Sequence, residues 1–192
     1  MAQVKRKDQK VLTRQKIMET AFRIYSDTGF FAPTNEIAKE AGVSHGTVFV
    51  YFPTREILQL SVLEQFADEV GNELHNLSVS NAGVEELLCA HIGILEKYES
   101  FYSKVISEMS SLPKETITML ISLRTIMSHH LGVVIEREQQ IIKDIPLHIL
   151  FNTWMGLLHY YLQNGELFAP GASVLKTCKN ELVVNFVRLI SK

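Results

Sequence analysis

Apolar side chains recur three and four residues apart along almost the whole chain, and the two-residue alternation of a half-buried strand is missing. A chain written this way buries helix against helix, so the expected fold class is all-α, with about nine helices. Breaks built from Gly, Pro, Ser, Asn or Asp fall at 29–33, 42–44, 53, 78–83, 112–113, 144–146 and 165–171. They predict a first helix over residues 13–28, with Thr13 as N-cap and Gly29 just past its end. Short helices over 34–41 and 44–52 follow, then a long fourth helix over 54–77 with Ile57, Leu58, Val62, Phe66 and Val70 as its stripe. Five more begin near Val84, Phe101, Lys114, Pro146 and Ala172. No internal repeat or low-complexity tract interrupts the pattern.

The 192 residues, 46% of them hydrophobic, suffice for one sizeable domain or for a small module joined to a larger one. No run of roughly 18 uncharged apolar residues predicts a membrane span, so no membrane partner is expected. The opening Met1 to Lys7 has no apolar stretch behind it, unlike a secretory signal. Cys89 and Cys178 are far apart and form no CxxC, which reads as two buried thiols in a reducing cytoplasm. The net charge of −2 is unevenly spread. Residues 1–60 carry nine Lys/Arg against six Asp/Glu, a surplus of three, so the remainder carries −5. Six bases before residue 17 meet only Asp8. A basic head on an acidic body suits a protein whose head alone meets a polyanion.

The most informative stretch is 34–53, TNEIAKEAGVSHGTVFVYFP. Two short helices flank a turn at Gly42, where glycine permits the positive φ of a tight reversal. Ala38 and Ala41 allow close packing, Val43 fills the space under the turn, and Ser44 is placed to cap the next helix. This is the grammar of a helix-turn-helix, whose second helix lies in the major groove of duplex DNA. With Val48 and Phe52 facing inward, His45, Phe49 and Val50 face out, flanked by Thr47 and Tyr51. Exposed Phe and Val on so small a helix call for a partner. Thymine methyls are one such partner, and a Thr hydroxyl reaches base edges or phosphate. Packing of Phe49 elsewhere in the same domain is the competing reading.

Gly29-Phe30, the Ile37-to-Ser44 turn, Gly46-Thr47-Val48-Phe49-Val50-Tyr51-Phe52 and Arg55 together resemble the DNA-binding head of the tetracycline-repressor (TetR) family. The resemblance covers residues 13–58, about a quarter of the chain. It implies a three-helix head over 1–53 with a basic N-terminal arm, joined by the long fourth helix to an effector-binding and dimerisation domain over 54–192. It implies backbone contacts for Thr34, Thr47, Tyr51 and Arg55, with Thr47 also within reach of a base, and groove contacts for His45, Phe49 and Val50; Ser44 and Gly46 complete the expected DNA-binding set. Val50 stands where polar or basic residues are common in the family, and Phe49 replaces a frequent Tyr, so methyl contact is expected of them rather than polar readout. The arm residues Lys5, Arg6 and Lys7 suit a minor groove.

The same resemblance implies a transcriptional regulator, most often a repressor released from operator DNA by a small molecule. The expected effector is at least partly apolar, in a pocket drawn from His91, Tyr98, Phe101, Met109, Met127, Trp154 and His159. The last two helices carry apolar stripes broader than one packed face needs, and in the family such helices form a four-helix homodimer interface. Leu158, Tyr161, Leu175, Leu182, Val183, Phe186 and Ile190 are the expected contacts. His129 and His130 point to different helix faces and no third ligand has matching spacing, so no metal or cofactor is expected. No nucleophile elbow, phosphate loop, HExxH or dinucleotide fingerprint is present, so no enzyme activity is expected.

Overall fold

A computed structural model describes the backbone of residues 2–192 and the side chains of residues 8–192. Among them are ten α-helices and one 3-10 turn: α1 (Ala2–Thr28), α2 (Thr34–Glu40), α3 (His45–Tyr51), α4 (Arg55–Val79), α5 (Val84–Lys97), α6 (Glu99–Glu108), the turn Met109–Ser111, α7 (Lys114–Arg137), α8 (Leu147–Gln163), α9 (Gly165–Phe168) and α10 (Val174–Ile190). The all-α expectation holds, and the additional helix is the single turn α9, inside a stretch whose glycines read as a break.

The first helix starts eleven residues before the expected cap. Thr13 is an interior residue whose hydroxyl donates to the Gln9 carbonyl at 2.8 Å, the back-bond that makes a threonine tolerable inside a helix. Its apolar stripe at helical spacing, Ile17, Ala21, Ile24 and Tyr25, is buried. The α4 stripe differs at one place, since Ile57 is 42% exposed while Leu58, Val62, Phe66 and Val70 are buried.

The body is a bundle in which α4 packs on α7 and α5, and α10 packs on both α5 and α8. That double contact encloses most of the residues expected at a dimer interface. Leu158, Leu175, Leu182, Val183, Phe186 and Ile190 are buried within one subunit, because the broad stripe of α10 serves two neighbours at once. Tyr161 is half-buried and stacks on Phe168 with ring centroids 4.1 Å apart. The outward stripe of α8 is instead Ile149, Thr153, Gly156 and Tyr160, with Val184 outward on α10.

α7 is long and apolar enough, by length and composition, to cross a membrane. Here its Leu120, Leu123, Met127, Leu131 and Val134 are buried in the bundle. Cys178 is buried and Cys89 half-buried, and both are free thiols.

The N-terminal helices meet the bundle at an aromatic joint. Phe101 of α6, fully buried, lies 4.7 Å from Phe22 of α1, 5.3 Å from Phe30 and 5.4 Å from Phe66 of α4, measured between ring centroids. The backbone of Phe30 is held by side chains from afar. Its N–H donates to Glu108 of α6 at 2.9 Å, and its carbonyl accepts from the buried Gln59 carboxamide of α4 at 2.5 Å. Gly29, at φ +96°, gives the carboxylate its room, since a Cβ there would lie 2.0 Å from a Glu108 oxygen.

Candidate nucleic-acid interface

The turn between α2 and α3 is built from the backbone outward. Gly42 takes φ +64°, the Val43 N–H reaches the Ala38 carbonyl at 3.0 Å, and the Gly42 N–H reaches Lys39 at 3.1 Å. This pair of bonds is a Schellman ending, which satisfies the last carbonyls of α2 and reverses the chain. Ile37, Ala38 and Ala41 are buried beneath it. Ser44 then caps α3: its hydroxyl accepts from the Thr47 N–H at 3.1 Å and shares a 2.7 Å hydrogen bond with the Thr47 hydroxyl. At the other end, Thr54 caps α4 by accepting from the Ile57 N–H at 3.3 Å.

Val48 and Phe52, each 1% exposed, anchor α3 from below. Its outer face carries Val50 at 79% exposure and Phe49 at 39%, together with the exposed Ser44, His45 and Gly46. Phe49 rests edge-on against the His45 ring, 4.9 Å between centroids, and is not sealed into the head. Thr47 and Tyr51 are half-buried at the flanks. Thr34 is the first residue of α2 rather than its cap, which is Pro33, and its hydroxyl meets His45 Nε2 at 2.9 Å. That bond brings the N-terminal turns of α2 and α3 together on one surface.

Arg55 stands at the edge of this surface with its guanidinium 5.5 Å above the ring of Phe31. Phe31 is 48% exposed and was not singled out in the sequence; its only signal is the Phe-Phe pair, of which one ring turns in and the other out. Arg14 of α1, also unforeseen, lies 4.9 Å above the Phe52 ring. Arg23 of α1 pairs with Glu40 of α2, and its hydrogen bond holds the Glu40 carboxyl below its ordinary range. The Glu56 carboxyl is likewise held low, first by its own backbone N–H and then by Thr54. The side chains of Lys5, Arg6 and Lys7 lie outside the described residues.

The seven residues expected to form one pocket are divided by the structure. His91, Met127 and Trp154 share a small cavity between α4, α5, α7 and α8. Tyr98 is in a separate groove with Phe22 and Phe66, and its hydroxyl, hydrogen-bonded to Glu69, is pushed up to about 12, chiefly by burial. Phe101 is the centre of the aromatic joint. Met109 sits in the 3-10 turn, packed on the core. His159 shares a 2.9 Å hydrogen bond with Tyr102, and burial lowers its pKa to about 4. Glu108 and Gln59 were not legible beforehand, since their partner Phe30 is 78 and 29 residues away and no local pattern marks them.

Comparison with known proteins gives this geometry its context. Residues 17–62 match the sequence model described as bacterial regulatory proteins, tetR family. The HTH-type transcriptional regulator YerO of Bacillus subtilis is 33% identical over 91 residues, which are 46% of this chain and 31% of that protein. The chain thus spans about a third of that relative's length. The crystal structure of the TetR family transcriptional regulator PfmR from Thermus thermophilus superposes with a TM-score of 0.73 over 90% of this chain and 97% of that one, at 16% identity. A transcriptional regulator from Saccharomonospora viridis in complex with choline superposes with a TM-score of 0.75 over 93% and 97%, at 19% identity. Residues 17–62 thus carry the sequence pattern of the tetR family of bacterial regulatory proteins, on an all-helical fold like that of PfmR.

Proposed function

We propose that the chain is a dimeric, sequence-selective DNA-binding transcriptional regulator, a repressor that a small molecule releases from its operator. The observation that carries this reading is the exposed, largely apolar face of α3. His45, Phe49 and Val50 are held outward by the buried Val48 and Phe52, beside Thr34, Thr47, Tyr51 and Arg55. Residues 1–53 are the reading head and 54–192 the effector and dimerisation body. Phosphate contacts from Thr34, Tyr51, Arg55 and the arm Lys5, Arg6 and Lys7 position the head and supply salt-dependent affinity. Phe49, Val50 and Thr47 select sequence through thymine methyls and base edges.

One short helix reads few base pairs, so two heads roughly 34–36 Å apart on a near-palindromic site are required. The apolar stripe of α8 through Ile149, Gly156 and Tyr160, with Val184 of α10, is the surface for the second copy. The related fold from Saccharomonospora viridis with choline bound supports a small-molecule effector in the body. An effector that favours a head spacing unable to span both half-sites weakens DNA binding by linkage.

The test is a gel shift on the DNA upstream of the chain's own gene at two salt concentrations. Replacing Tyr51 and Arg55 lowers affinity for every sequence and flattens the salt dependence, whereas replacing Thr47 or Phe49 changes preference among sequences. Binding untouched by all four replacements refutes the placement of α3 in the groove.

A further inference from the structure

Trp154 of α8 donates its indole N–H to His91 Nδ1 of α5 at 2.9 Å, and both side chains are buried. Accepting at Nδ1 places the proton of the neutral imidazole on Nε2. Among the described residues, no group accepts from that nitrogen. Most buried donors are paired, so one left over at a cavity wall marks where an acceptor belongs. His91 and Trp154 line a cavity of about 20 Å³ whose other walls include Leu87, Met127, Leu131 and Phe151. His130, one turn along α7 from Met127, lines both this cavity and an open groove of about 500 Å³ between α4 and α7. The His130 side chain is thus common to the walls of the cavity and the groove.

We propose that this cavity receives the regulator's effector, and that the effector is an uncharged, mainly apolar molecule whose single hydrogen-bond acceptor is held by His91 Nε2–H. The inference rests on the effector-responsive reading above and narrows it to a chemical class. A hydrocarbon leaves the N–H unpaired. A carboxylate gains one hydrogen bond but no compensating charge, because burial pushes His91 down to about 3 and keeps it neutral. A cation meets no carboxylate on the cavity wall. Ketones, esters, amides and ethers remain. The cavity has room for about one water, so such a molecule enters by displacing the unbranched, flexible Met127 and His130 toward the groove.

The test uses the full chain and three probes: acetophenone, α-methylstyrene, in which C=CH₂ replaces C=O at the same shape, and benzoate. Trp154 is the chain's one tryptophan, so its emission reports this cavity directly. Acetophenone is expected to change that emission saturably and to bind about three- to tenfold more tightly than α-methylstyrene, the worth of one hydrogen bond. Benzoate is expected not to bind. His91→Phe brings the ratio to about one. Met127→Ala makes room beside the same N–H, tightens both neutral probes and keeps the ratio, which tests the anchor without touching His91. Equal affinity of the two neutral probes, tight binding of benzoate, a preference that survives His91→Phe, or no binding to either the natural chain or Met127→Ala overturns the proposal. A parallel gel shift separates the two layers. Acetophenone that binds through His91 but leaves DNA affinity unchanged refutes effector release, while loss of the probe preference with DNA binding intact refutes the His91 anchor alone.

Discussion

Acid should weaken this fold through His91 in a way that can be calculated. The side chain is fully enclosed and its pKa falls from the ordinary 6.5 to about 3, first through burial and then through the nearby His159. Between those values the unfolded chain binds a proton that the folded chain refuses, so stability is full above pH 6.5 and drains away as pH falls toward 3. Each pH unit in that window is worth about 1.4 kcal/mol, so lowering the pH from 7 to 5 removes about 2 kcal/mol through this residue alone. His159, lowered to about 4 chiefly by burial, acts in the same direction.

His91→Gln isolates the effect, because the carboxamide oxygen can still accept from the Trp154 indole but the side chain does not titrate. Urea denaturation at pH 7 and pH 5, at one protein concentration, gives the two stabilities. The natural chain is expected to lose about 2 kcal/mol more on acidification than His91→Gln does. Equal losses would refute the claim that His91 is held neutral by its enclosure.

Gln59→Leu removes the donor to the buried Phe30 carbonyl and should lower stability by about 1–3 kcal/mol in the same denaturation assay; an unchanged midpoint would show that water replaces the carboxamide. Gly42→Ala should cost about 1–2 kcal/mol from the positive φ alone, since the nearest atom to the added Cβ is the flexible end of Lys16 at 3.5 Å. Gly42→Asn should recover part of that loss, and an alanine variant as stable as the natural chain contradicts the assignment of strain. Gly156→Arg, placed on the outward stripe of α8 where a Cβ meets nothing within 4 Å, should leave the fold intact and shift sedimentation from dimer to monomer; a variant that still sediments as a dimer moves the interface elsewhere.

The sequence disclosed most where local chemistry decides structure. Gly42 and Ser44 each act on backbone groups within a few residues, and the turn and the cap there could be read directly, whereas Thr54, expected as the first residue of α4, is its N-cap. Thr13 misled because a threonine hydroxyl bonds the Gln9 carbonyl inside a helix as readily as it caps one. The stripe on α10 was too wide for one neighbour, and its width does not say whether the second neighbour belongs to the same chain. The structure gives that place to α5, which leaves the stripe of α8 through Ile149 and Tyr160 facing outward. The pocket residues could not be sorted by type, because Met and aromatic side chains fill a core and line a cavity equally well. Only the tertiary position of Phe101 separates the joint from the cavity beside His91.

Phe101 comes from the middle of the chain yet packs directly on rings supplied by α1 and by the turn after it. A fragment cut after Pro53 would bare Phe22 and Phe30 to water and strip the Phe30 amide of its carboxylate. Moving the helix-turn-helix into another chain of this fold is therefore not a matter of exchanging the first fifty residues. Gln59, Phe66, Phe101 and Glu108 must travel with them, or the transplanted helices will sit at an angle their new host did not set.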